Sequence, residues 1–148
     1  MSKSGPMGEG RNILMVEDDE NDRTFFSIAI RKTGAASIQT VEDGQEAIDY
    51  LEAKGVYSNR SKYPLPDIIV LDLRMPRVNG FEFLAWRSTT QFSSLPVIVL
   101  EGSGDRQKQQ SARDMGAVLA FSKPCGLEKL FELAKEIVAF DQSRMLRR

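Results

Sequence analysis

Five short apolar runs recur along the chain: NILMV (12–16), SIQTV (37–41), DIIVL (67–71), PVIVL (96–100) and AVLAF (117–121). Three of them are continuous rather than alternating, the pattern of strands covered on both faces in a parallel sheet. Helical periodicity lies between the runs. Phe25, Phe26, Ala29 and Ile30 form one apolar face, ended by Gly34; Ala47, Ile48 and Leu51 form a second, ended by Gly55. Phe81, Leu84 and Ala85 follow Asn79-Gly80, and Leu127, Leu130, Ala134 and Ile137 form the last face. Segment 104–116 is helical by composition, but only Ala112 and Met115 give it an apolar side, so it should dock least firmly. This order predicts an α/β fold: a flavodoxin-like, doubly wound, five-stranded parallel sheet of order 2-1-3-4-5 with five helices.

The chain of 148 residues has the size of one domain. We expect a disordered N-terminal segment (1–10), a folded domain (11–140) and a charged C-terminal tail (141–148). A net charge of −1 gives no basic footprint for nucleic acid. No apolar run reaches the roughly 20 residues of a membrane span, and the start lacks the apolar core of a signal peptide. Cys125 is the one cysteine, so no internal disulfide forms and a cytoplasmic location is expected. There is no histidine, which excludes Ser-His-Asp triads, His-ligated zinc and a phosphohistidine carrier. Chemistry is left to carboxylates, lysine and hydroxyls.

In a sheet of this order, ligands sit beyond the carboxyl ends of the strands, between the first and third. The first run ends in Glu17-Asp18-Asp19 and the third in Asp72, so several carboxylates would share one crevice. Like charges so placed repel, and a hard dication relieves them; Mg²⁺ suits carboxylates, water and phosphate. The fifth run leads to Lys123 at the same rim. A carboxylate nucleophile beside a metal and an ammonium is equipment for phosphoryl transfer. Each part has a plainer reading: Asp18 or Asp19 as the cap of the next helix, Asp72 as a loop acid. The conjunction at three strand ends singles the site out.

The stretches ILMVEDDE, IIVLDLRMPRVNGFEFL, LPVIVL and FSKP resemble the receiver domain of bacterial two-component response regulators, over roughly residues 12–140. The resemblance implies that Asp72 is the phosphoacceptor. It implies that Mg²⁺ is held by Glu17, Asp18, Asp72 and the main-chain carbonyl of Arg74, with Lys123 as the catalytic lysine and Pro124 at the usual cis-proline position. The phosphodonor would be a sensor histidine kinase. Such a domain catalyses only its own phosphorylation and dephosphorylation. With no output domain attached, the chain resembles stand-alone receivers, and the long 55–66 connection resembles the subgroup paired with phytochrome-like kinases. The 104–140 face would meet a downstream protein or a second copy.

Two positions depart from the family pattern. Glu101 stands where a Ser or Thr hydroxyl is usual, and Ala120 where a switch aromatic is usual; Phe121, one place along, should face the other way. A second anion within ~4 Å of a phosphoryl group costs about 4 kcal/mol at an effective dielectric of 20. Glu101 should therefore pair with Lys123, pair with Arg74, or face solvent. Pairing with Lys123 would make the chain a pseudo-receiver, a binding module locked in one state; the alternative is a working phosphorylation switch. A phosphohydrolase with an aspartyl-phosphate intermediate would want an acid two residues after its nucleophile, where Arg74 stands.

Overall fold

The computed structural model describes residues 10–140; the expected disordered segment lies almost wholly outside these residues, and the charged tail entirely so. The elements run β1 (Arg11–Val16), α1 (Glu20–Lys32), β2 (Ala36–Val41), α2 (Gly44–Leu51), β3 (Ile68–Asp72), α3 (Gly80–Ser88), β4 (Val97–Glu101), α4 (Arg106–Asp114), β5 (Leu119–Ser122) and α5 (Leu127–Ala139), with a 3₁₀ turn at Gly55–Ser58 between α2 and β3. The strands form one parallel sheet in the order β2-β1-β3-β4-β5, as expected.

The continuous apolar runs arise because successive strand residues feed opposite cores. Ile13, Met15, Ile68, Val70, Ile98 and Leu100 pack under α1 and α5, with Phe26, Ile30, Leu130 and Ile137. Leu14, Val16, Ile69, Leu71, Val97 and Val99 pack under α2, α3 and α4, with Ala47, Leu51, Phe83 and Ala112. Only Ala112 of α4 is buried, so that helix is docked by little apolar surface. None of the described helices is long and apolar enough to cross a membrane.

Two details differ from the sequence reading. Strands β3 and β4 run one residue further than their apolar runs, so Asp72 and Glu101 are themselves strand residues, 6% and 4% exposed. Phe25 is not a core residue: at 100° per residue Phe26, Ala29 and Ile30 take the inward face, and Phe25 stays half exposed.

Candidate functional site

Register brings the carboxylates together. Val16 pairs with Leu71, so Glu17, just past β1, and Asp72, at the end of β3, emerge side by side at the carboxyl edge of the sheet. Oxygens of Glu17, Asp18 and Asp72 all lie within 4.8 Å of one another. Asp19 separates from the group: it is the N-cap of α1, accepting from the Asp22 N–H at 2.9 Å. The capping reading of this acidic run thus holds for Asp19, while Glu17 and Asp18 are the residues grouped with Asp72.

Lys123 enters from the end of β5, held by its N–H donating to the Glu101 carbonyl at 3.0 Å. Its Nζ lies 2.8 Å from Glu17 Oε1, 3.0 Å from Asp22 Oδ2 and 3.4 Å from Asp72 Oδ2. Asp22 is a partner that the sequence reading missed. Its first-turn place on α1 gave the only signal, and it is indistinguishable there from an ordinary dipole-complementing acid. The other Asp72 oxygen accepts from the Arg74 N–H at 3.1 Å. Gly80 lets the chain close behind Asp72: a Cβ there would stand 2.5 Å from Leu73 Cα and 2.8 Å from the Asp72 carbonyl oxygen.

One ammonium faces three carboxylates. Burial, with the charge of Asp72 adding to it, raises the Glu17 carboxyl from its ordinary 4.5 to about 8, despite Lys123 beside it. Burial works against the charge of Lys123, but Glu17, Asp22 and Asp72 outweigh it and hold the ammonium above the usual lysine range. Glu17 Oε1 is buried and, although 2.8 Å from Nζ, receives no hydrogen bond of good geometry. An under-satisfied oxygen in an all-oxygen, electron-rich pit fits a hard dication such as Mg²⁺.

A consequence follows for stability. The folded Glu17 binds its proton more tightly than the unfolded chain does, so its contribution is fully present below pH 4.5 and is lost as pH rises towards about 8. The thermal midpoint of the metal-free protein is expected to fall across that window. Saturating Mg²⁺ or Glu17→Gln should flatten the fall; a slope unchanged in Glu17→Gln would show that Glu17 is not its source.

The model of the response regulator receiver domain matches residues 13–135. The chain belongs to this family. Among curated relatives of the receiver, KDP operon transcriptional regulatory protein KdpE of Escherichia coli is 35% identical, over 80% of this chain and 47% of its own length. Response regulator Rre1 of Synechocystis sp. is 26% identical, over 93% of this chain and 55% of its own length. The chain thus spans about half the length of these relatives. Among solved structures, the phosphorylated cyanobacterial phytochrome response regulator RcpA superposes with a TM-score of 0.79 at 31% identity, covering 91% of this chain and 96% of its own. Receivers of two-component systems are signalling modules rather than classical enzymes, and the carboxylate–lysine pit stands at the edge of the sheet where the fold places ligands.

The structure corrects the reading of Glu101. Its carboxylate meets neither Lys123 nor Arg74, and it does not face solvent. It turns into the loop between β4 and α4, where Oε2 accepts from the N–H (2.8 Å) and hydroxyl of Ser103 and Oε1 accepts from the Asp105 N–H at 3.0 Å. Burial alone would raise its pKa, but the Ser103 hydroxyl and these loop N–H groups outweigh burial and hold it below the usual carboxylate range. Donors one turn away outcompete Lys123, which three other acids already occupy. The pseudo-receiver lock through Lys123 is therefore absent.

The alternation at β5 is as expected: Ala120 packs on the α2–α3–α4 side and Phe121 on the α1–α5 side. No described peptide bond is cis, so Lys123–Pro124 is trans; Gly126, at φ 94°, makes the turn into α5 instead. A cavity of about 250 Å³ adjoins the pit, lined among others by Asp72, Arg74, Asn79, Glu101, Lys108 and Lys123.

Proposed function

We propose that this receiver is a phosphorylation-dependent switch in which Asp72 takes a phosphoryl group from the phosphohistidine of a sensor kinase. The convergence of Glu17, Asp18, Asp72 and Lys123 carries the reading. An Asp72 oxygen attacks phosphorus, forming an O–P bond as the N–P bond breaks; the imidazole leaves with the electron pair and takes up a proton. These 148 residues contain no histidine, so the phosphohistidine is not supplied by this domain itself. Glu17, Asp18, Asp72 and the Arg74 carbonyl would hold Mg²⁺, which supplies charge neutralisation at the phosphoryl oxygens. The Lys123 ammonium, 3.4 Å from Asp72, would pair with one of those oxygens.

Partners follow from the surfaces. Beside the pit, a groove of about 390 Å³ between α1 and α5 is lined by Phe25, Phe26, Leu127 and Leu130 together with Glu17, Asp22 and Lys123. Its apolar floor borders Glu17 and Lys123 at the rim of the pit, which suits a helix of the kinase. Likeness to a phytochrome response regulator supports a phytochrome-like kinase as that donor. The 104–140 face, with a helix α4 that buries only Ala112, suits a downstream protein or a second copy.

A second reading is favoured by Glu101: the loop it ties could hold α4 in one place whether or not Asp72 is phosphorylated. Calorimetric titration with Mg²⁺ tests the site itself. Because Glu17 must shed a proton to bind the cation, affinity should rise with pH up to about 8, and protons should be released on binding. Heat without proton release at pH 7 would contradict this assignment of Glu17.

A further inference from the structure

The segment Leu73–Asn79 joins the acceptor strand to α3. It carries Arg74, whose N–H holds Asp72 and whose carbonyl completes the proposed metal ligands. Its distal half is fixed from outside the pit. Arg77 lies in the left-handed region, φ 64°, which a side chain other than glycine adopts only when its surroundings impose it. Its guanidinium forks onto Asp43, Nε donating to Oδ2 at 2.8 Å and Nη2 to Oδ1 at 3.0 Å. Asp43 is in turn fixed, because it is the N-cap of α2 and accepts from the Glu46 N–H at 2.8 Å. The neighbouring Gly44 N–H donates to the Val78 carbonyl at 3.0 Å. That approach leaves no room for a side chain, since a Cβ at 44 would stand 2.1 Å from the Val78 oxygen. The N-cap and first residue of α2 thus grip two consecutive residues of the loop.

We propose that Asp43 and Arg77 are positioning residues: their forked ion pair sets the path of the 73–78 main chain, and so the placing of the Arg74 carbonyl beside Asp72. Divalent-cation affinity then depends on a contact that touches no ligand of the metal. A bidentate pair is suited to this, since it fixes orientation as well as distance. The proposal rests on the metal reading above, and it adds a pathway from the start of α2 to the acceptor.

Mg²⁺ titration of the full chain by calorimetry, with thermal midpoints measured in parallel, tests it. Arg77→Ala and Asp43→Asn should each weaken Mg²⁺ binding on the order of tenfold, the scale of lost outer-shell contacts. The double variant should be no weaker than the worse single one, because both remove the same contact. Arg77→Lys, which keeps the charge without the fork, should fall between. Arg77→Gly relieves the left-handed backbone and should keep a thermal midpoint close to that of the parent while still losing affinity. Wild-type affinity in Arg77→Gly and Asp43→Asn, or additive losses in the double variant, would overturn the proposal. A parent protein that does not titrate at all would instead overturn the metal reading, and this proposal with it.

Discussion

Lys123→Ala is expected to lower both the stability of the metal-free protein and its rate of phosphorylation, and Mg²⁺ should restore only the first. The lysine is shared among Glu17, Asp22 and Asp72, two of them nearly inaccessible to water. Removing one partner of a buried ion pair costs about 3–5 kcal/mol, because the charge left behind is uncompensated. Here the lysine side chain is itself 25% exposed and water reaches the rim, so the loss should be smaller, about 2 kcal/mol. A dication supplies the missing positive charge and should recover that stability. It does not replace the ammonium aimed at a phosphoryl oxygen; losing such a group costs roughly a hundred- to a thousandfold in rate. Thermal melts with and without Mg²⁺, beside a phosphorylation time course, separate the two effects. Full recovery of the rate by Mg²⁺ would mean that Lys123 is structural only.

Glu101→Thr should change two things at once. Three donors of the β4–α4 loop, two backbone N–H groups and the Ser103 hydroxyl, lose a charged acceptor. Because the loop is exposed, water takes over part of the bonding, and a net loss of about 1.4 kcal/mol is expected. Amide exchange across 102–105 and into α4 should then quicken roughly tenfold. Glu101 also lines the cavity beside Asp72. Its removal takes an anion away from the incoming phosphoryl group, so phosphorylation should speed up. Glu101→Gln separates the causes, since it removes the charge while keeping most of the side chain in place. Faster phosphorylation in both variants assigns the effect to charge. Faster phosphorylation in Glu101→Thr alone would assign it to loop release.

The parts of the site that could be read in advance share a physical reason. Asp72 ends a run that only a buried strand explains, and Lys123 follows the apolar run of the edge strand β5, so the fold itself carries both to the rim. Glu17 and Asp18 follow another such run, and the register then places them beside Asp72. Where several low-energy side-chain directions compete, sequence is silent. Glu101 had two plausible partners besides solvent, and it takes none of these but donors within its own loop. Asp22 looks like any acid in a first helical turn until β5 delivers Lys123 to it. Arg77 gives no sign of its left-handed backbone, a conformation ordinarily read from glycine or asparagine. Phe25 shows a further limit, since a four-residue apolar cluster is wider than the stripe that α1 buries.

Intact-mass measurement after incubation with Mg²⁺ and a small acyl-phosphate donor shows whether Asp72 takes up a phosphoryl group. Rapid gain of one phosphoryl group by the parent protein, absent with a chelator and absent in Asp72→Asn, is expected. No gain by a well-folded parent protein, or a gain that persists in Asp72→Asn, would contradict that role of Asp72.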